Sequence, residues 1–237
     1  MVNSIKGQIV EALFPNYCYL CQWRCPGPLP LCQDCRAELA ANGPSCQRCA
    51  LPLTTDAPLC GDCLTRPPAC DRVVAPWLYC EYLAYIIGRW KFNGDRTLTP
   101  LLADLWTRHA TPEAMPDILL PVPLHWRRQW QRGYNQAELL AMQIARGCSL
   151  EVNTRLLRKR LATNPQSGMD AHLRTRNVRD AFTVTGACDN LRVALVDDVL
   201  TTGATASELA RILKQAGAAQ VEVWCLARTP PPENRVN

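Results

Sequence analysis

The hydrophobic pattern divides the chain into two regimes. Residues 15–70 hold few long apolar segments and many Pro and Gly, so they have little to bury against one another. From Arg72 onward the apolar runs lengthen and change period. Val73–Tyr79 predicts a strand, Leu83–Trp90 a short apolar helix closed by the turn Asn93-Gly94-Asp95, and Leu98–Trp106 a second helix. Ile118-Leu119-Leu120-Pro121-Val122-Pro123 predicts an apolar strand running into a loop, and Gln136–Ala145 a helix with Leu139, Leu140, Met142 and Ile144 as its apolar residues. Arg192–Val196 predicts a buried strand. Thr205–Gln215 predicts a helix with Leu209, Ile212 and Leu213 facing inward, and Val221–Leu226 a further strand. Strands and helices alternate, so the expected class is α/β with a mainly parallel sheet flanked by helices. In such sheets ligands sit at the carboxyl ends of the strands.

Length and composition fit this division. A chain of 237 residues with 48% hydrophobic content can hold one medium α/β domain and a small module. The expected boundaries are 1–70 for an N-terminal helix and the cysteine-rich module, 71–228 for the α/β domain, and 229–237 for a disordered tail rich in proline. Ile5, Ile9, Val10 and Leu13 are spaced as on an amphipathic helix, with Lys6 and Glu11 between them, unlike a secretory signal. No apolar run reaches the length needed to span a bilayer, so the expectation is a cytoplasmic protein that is not integral to a membrane.

Eight of the 14 cysteines form four Cys-x-x-Cys pairs, Cys18/Cys21, Cys32/Cys35, Cys46/Cys49 and Cys60/Cys63, with ten residues between one pair and the next. Two thiolates three positions apart on a tight turn can face one cation, and a second such knuckle completes a tetrahedral site. Four knuckles predict two structural zinc ions, and metal would then supply the stability that residues 15–70 lack. The spacing leaves the pairing open. Consecutive pairing groups Cys18, Cys21, Cys32 and Cys35 apart from Cys46, Cys49, Cys60 and Cys63, whereas interleaved pairing mixes them. Disulfides are the plainer alternative, disfavoured in a reducing compartment. Cys25, Cys70, Cys80, Cys148, Cys188 and Cys225 lack the spacing and read as buried small residues, with Cys25 close enough to serve as a spare ligand.

The strongest chemical signal is Val196-Asp197-Asp198-Val199-Leu200-Thr201-Thr202-Gly203-Ala204-Thr205. A buried strand ends in two carboxylates, and a Thr/Gly loop leads straight into a helix. The helix N-terminus offers N–H donors and a positive dipole end, Thr201, Thr202 and Thr205 add hydroxyls, and Gly203 permits close backbone approach. This describes a phosphate cradle, though not a Walker A loop, whose Gly-x-x-x-x-Gly-Lys pattern is absent. Asp197 and Asp198 beside it suit vicinal hydroxyls or a magnesium ion. A phosphate plus a diol describes ribose 5-phosphate. Solvated strand-end Asp residues and an ordinary Thr cap are the plainer alternative.

Charge adds a second loop. The formal net charge is +5, yet residues 127–179 alone carry eleven Lys/Arg against three Asp/Glu. Anionic partners are expected there. Arg127, Arg128 and Arg132 flank Gly133-Tyr134-Asn135-Gln136, and guanidinium groups bind phosphate oxygens bidentately. A polar, basic segment follows. Within it Gln166, Arg176 and Asn177 are candidates for a mobile lid, whereas His125 and His172 read as surface residues. Trp126, Trp130 and Tyr134 are candidates for stacking on single-stranded DNA.

The Val196–Thr205 run resembles the signature of type I phosphoribosyltransferases. By that resemblance Asp197 and Asp198 hold the ribose hydroxyls of phosphoribosyl pyrophosphate bound with magnesium, residues Thr201 to Thr205 hold its 5-phosphate, and the loop of Arg127, Arg128 and Arg132 takes the pyrophosphate. Purine-salvage members carry an Asp where this chain has Thr201, which argues against a hypoxanthine-type enzyme. Taken with the knuckles, Lys91-Phe92-Asn93-Gly94-Asp95, Pro121-Val122-Pro123-Leu124-His125, Arg132-Gly133-Tyr134-Asn135-Gln136 and the 166–182 segment, the chain resembles the ComF family. That resemblance implies a double zinc ribbon on a type I phosphoribosyltransferase fold, and a role in DNA uptake or use of imported DNA. Three readings follow: a phosphoribosyltransferase, a non-catalytic factor binding single-stranded DNA, and a docking platform for the uptake machinery.

Overall fold

The computed structural model describes residues 16–124, 133–159 and 181–231. Two five-residue helices lie in the cysteine-rich part, α1 (Gln33–Ala37) and α2 (Gly61–Thr65). The α/β part contains β1 (Arg72–Val74), β2 (Trp77–Leu78), α3 (Glu81–Phe92), α4 (Thr99–His109), β3 (Ile118–Pro121), α5 (Gln136–Cys148), β4 (Glu151–Val152), β5 (Leu157–Lys159), β6 (Phe182–Val184), β7 (Arg192–Leu200), α6 (Ala204–Gln215) and β8 (Gln220–Arg228). The main sheet runs β1-β8-β7-β3-β4, with β2 also on β8, and every pairing in it is parallel. β5 and β6 form a separate antiparallel pair.

The two long strands show why the sheet is covered on both faces. Along β7, Ala194 and Val196 face one core with Trp224 and Leu226 of β8, while Val193 and Leu195 face another with Val221, Val223 and Cys225. This is the period-two alternation of a strand buried on both sides. Helices α3, α4 and α5 supply Ile86, Trp90, Leu102, Trp106, Leu140 and Ile144 to the first core. Helix α6 supplies Leu209 and Leu213 to the second, with Ile212 at its margin. Trp106 and Trp224 meet at a ring separation of 4.5 Å.

From Arg72 onward the predicted elements are present with altered ends, while the expected N-terminal helix and the tail from residue 232 lie outside the described residues. The strand expected over Val73–Tyr79 breaks into β1 and β2 at Ala75-Pro76, where proline cannot donate to a ladder. The strand expected to stop at Val196 continues to Leu200, because β8 keeps pairing with it as far as Arg228. The cysteine-rich part is fastened to the sheet domain. Cys18, Cys25, Leu31 and Leu39 join the first core, and Arg36 bonds Asp104 at 3.0 Å. Among the described residues no helix is long and apolar enough to cross a membrane.

Candidate functional site

Because β7 continues past Val196, Asp197 and Asp198 sit within its last turn of pairing instead of beyond its end. The pair is half-buried at the carboxyl edge of the sheet. Asp197 Oδ1 accepts from the Asp198 backbone N–H at 2.8 Å, and Asp198 Oδ1 accepts from the Val199 N–H at 2.6 Å. Lys91 Nζ, from the last turn of α3, lies 2.8 Å from Asp198 Oδ1, with the two side chains 16% and 18% exposed. Burial pushes the Asp197 carboxyl up to about 7, and the adjacent Asp198 charge adds to it. The Asp198 N–H and Lys91 pull the other way without cancelling the rise. The same environment, burial first, raises the thiol of Cys225, which lies opposite Asp197 on β8.

The loop after β7 is short and tightly held. Gly203 has φ +76° and is the residue before α6. A Cβ there would meet nothing within 4 Å, so glycine is required by the left-handed backbone and leaves open space beside the loop. Gly203, at the N-cap of α6, has no side chain to cap the helix, whose first turn begins at Ala204. Thr201 and Thr202 are exposed, and Thr202 Oγ1 accepts from the Ala204 N–H at 3.4 Å. Asp198 thus stands six positions before Ala204, the first residue of α6, the arrangement expected of a cradle for an anion beside a diol or a divalent cation.

Two residues that carry no site role in the sequence reading support this geometry. Lys91 belongs to the Lys91-Phe92-Asn93-Gly94-Asp95 run, and its ammonium balances Asp198. Arg228, the last residue of β8, is 8% exposed. Its Nη1 donates to the carbonyls of Leu200 and Thr229 at 3.0 Å each and to that of Thr201, and its Nε donates to the Cys49 carbonyl at 3.1 Å. One guanidinium therefore ties the loop after β7 to a cysteine knuckle. Between that loop and the second cysteine cluster runs a groove of about 1240 Å³, lined by Leu53, Arg66, Pro67, Thr202 and Ser207 among others.

The motif after Gly133 has an architectural role. Tyr134 is buried and donates its hydroxyl to the Trp90 carbonyl, and Gln136 donates to the Lys91 carbonyl at 3.4 Å. Asn135 caps α5 and donates to the Val122 carbonyl at 3.1 Å. These bonds hold the end of α3, and so Lys91, against β3. Tyr134 is thereby corrected as a stacking candidate, since only 7% of it is exposed. Arg127, Arg128, Arg132, Trp126, Trp130, His125, Gln166, His172, Arg176 and Asn177 lie outside the described residues.

The cysteines form two clusters in consecutive order. Cys18, Cys21, Cys32 and Cys35 converge in one, and Cys46, Cys49, Cys60 and Cys63 in the other, with ligand atoms all within 4.8 Å of one another. Interleaved pairing is not what the fold builds. Cys32 and Cys60 each precede a short helix, α1 and α2, so both second knuckles have the same local shape. Burial raises the Cys18 and Cys46 thiols, but nearby backbone N–H groups outweigh it and bring them to about 6 and about 7. Four convergent sulfurs with amide donors aimed at them fit a structural zinc ion. Cys25 stands outside the cluster, buried in the core with its thiol toward the Leu29 carbonyl, so it is a packing residue and not a spare ligand.

These features define a class: a parallel α/β domain carrying a double four-cysteine ribbon. Residues 9–64 match the double zinc ribbon domain family. Competence protein F of Haemophilus influenzae is 37% identical over 71% of this chain and 77% of its own length. DNA utilization protein YhgH of Escherichia coli K12 is 34% identical over 91% of this chain and 98% of its own. The chain belongs to the ComF family. A solved glutamine phosphoribosylpyrophosphate amidotransferase from B. subtilis matches 56% of this chain at 21% identity and a TM-score of 0.37, a likeness too slight to carry weight, and the match spans 26% of that enzyme's chain.

Proposed function

We propose that this protein binds phosphoribosyl pyrophosphate with magnesium at Asp197, Asp198 and the Thr201–Thr205 loop, and that it acts in the cytoplasm on single-stranded DNA taken up by the cell. The observation that carries this reading is the half-buried carboxylate pair, with Asp198 held by Lys91, on the strand that leads through Thr201-Thr202-Gly203 into the start of α6. Asp197 and Asp198 would accept from the ribose hydroxyls or hold magnesium, which supplies charge neutralisation to the pyrophosphate when bound. Thr201, Thr202, Thr205 and the first amides of α6 would donate to the 5-phosphate. The guanidinium groups of Arg127, Arg128 and Arg132 would take the charge that develops on a departing pyrophosphate. The DNA role is supported by relatives named for competence and DNA utilization. Thr201, in place of the carboxylate that purine-salvage enzymes use there, favours a second reading in which the donor is bound without turnover and the uptake machinery is the protein partner.

The test is calorimetric titration of the zinc-loaded protein with phosphoribosyl pyrophosphate and magnesium, beside Asp197→Ala/Asp198→Ala. Binding in the parent and none in the folded variant is the expected result. No binding in the parent would remove the donor site from the account. Pyrophosphate release across a panel of bases and amines then separates the two readings.

A further inference from the structure

Among the described residues eight large apolar side chains are exposed, and the five aromatic ones, Tyr17, Trp23, Tyr82, Tyr85 and Phe92, all lie on the first knuckle or on α3. On α3 the positions 82, 85, 89 and 92 recur at helical spacing, so Tyr82, Tyr85, Arg89 and Phe92 form one stripe about 15 Å long. The knuckle continues this stripe. Tyr19 meets Tyr85 with ring centroids 6.5 Å apart, and the Arg89 guanidinium lies 5.8 Å from the Tyr19 ring centre. Tyr19 also donates its hydroxyl to Asp95, which brings the turn after α3 to the same place. Trp23, on the segment that leaves the knuckle turn, is 79% exposed, more than any other of the eight.

We infer that this face is where single-stranded DNA stacks. The inference rests on the reading that the protein handles single strands, and it places the strand on residues other than the basic 127–179 stretch. Three arguments carry it. The exposed groups are planar, with no exposed Leu, Ile, Val or Met among the described residues of these two elements, and every base has a face that a planar ring can stack on. The charge is complementary, since Arg24, Arg89 and Arg96 are exposed on these segments against the single exposed carboxylate of Glu81. Finally, α3 leads to the candidate site. Its Lys91, in the last turn of the same helix, is the residue bonded to Asp198, so the stripe and the candidate site share one element.

The probe is a fluorescein-labelled oligothymidylate, titrated by anisotropy against the full zinc-loaded chain at several salt concentrations. Trp23→Ala/Tyr85→Ala is expected to weaken binding roughly 10- to 100-fold while leaving the salt slope unchanged, because stacking releases no counterions. Trp23→Phe/Tyr85→Phe should restore most of the affinity. Arg89→Gln should lower the salt slope by about one. Unchanged zinc content and unchanged phosphoribosyl pyrophosphate binding in the double Ala variant would show that the fold is intact. A parent that binds DNA and a double Ala variant that binds it equally would overturn the inference alone. A parent that binds no single strand would overturn the DNA reading itself, with donor binding left standing. If the double Ala variant instead loses a concentration-dependent dimer at unaltered DNA affinity, the face is a self-interface and the inference fails.

Discussion

The two cysteine clusters have the same spacing and different surroundings. The first is built into the main core: Cys18, Cys25, Leu31 and Leu39 pack with Trp90, Trp106 and Trp224. The second is a small cluster of its own, Cys46, Cys60 and Cys63 with Leu51, Leu53 and Leu59 beside them. It reaches the sheet domain through Ala50, which packs in the second core, and through polar contacts, chiefly Arg228 on the Cys49 carbonyl and Asn42 on the carbonyls of Ala50 and Ala75. Spacing fixes how a knuckle can hold metal, and the neighbouring residues decide what the metal supports. At the first cluster it supports the helices that carry Lys91. At the second it supports the loop that follows β7.

The largest effects should come from the clusters themselves. A structural zinc ion contributes about 10 kcal/mol or more to the segment it folds. Cys32→Ser/Cys35→Ser should therefore lower the melting temperature of the whole chain in scanning calorimetry. Cys60→Ser/Cys63→Ser should lose one zinc by elemental analysis yet keep a cooperative sheet-domain transition. Equal collapse in both variants would dissolve the contrast. Trp224→Ala should cost about 3–5 kcal/mol in urea unfolding, because a fully buried ring between the sheet and α4 is lost.

Asp197→Asn sharpens the picture from the site. Burial pushes the native carboxyl up to about 7, so across roughly pH 4 to 7 the folded state holds a proton that the unfolded chain releases. Stability contributed by this group is present below that window and is lost as pH rises through it. The Asn variant lacks this loss. It should match the parent at low pH, exceed it above pH 7 by a few kcal/mol in urea unfolding, and bind no donor. A parent no more sensitive than the variant to pH in this range would contradict the buried-pair picture. Smaller still, Arg228→Lys keeps the charge without the fork and should cost about 1–3 kcal/mol. Its amide exchange should quicken at Leu200–Ala204 and near Cys49, and not at Cys18–Cys35.

The sequence made some of this legible. Cys-x-x-Cys spacing announces knuckles, and a strand of Val, Ala and Leu closing in Asp-Asp before Thr-Thr-Gly announces a cradle. Both signals are local, and the structure brings the knuckles into two four-cysteine clusters. Lys91 and Arg228 were not legible as site residues, because each acts across 107 or 179 residues of chain, from Lys91 to Asp198 and from Arg228 to Cys49. The length of β7 was hidden for the same reason: polar Asp197 and Asp198 look like an end until β8 pairs beyond them. Tyr134 looked like a free ring because its partner, the Trp90 carbonyl, comes from a distant helix.

The most direct test of the ribose-phosphate site is amide hydrogen exchange of the intact, zinc-loaded protein with and without phosphoribosyl pyrophosphate and magnesium. Protection is expected at residues 197–205, with a smaller gain at the end of α3 around Lys91. Donor binding that leaves residues 197–205 unprotected and protects another region would contradict the account.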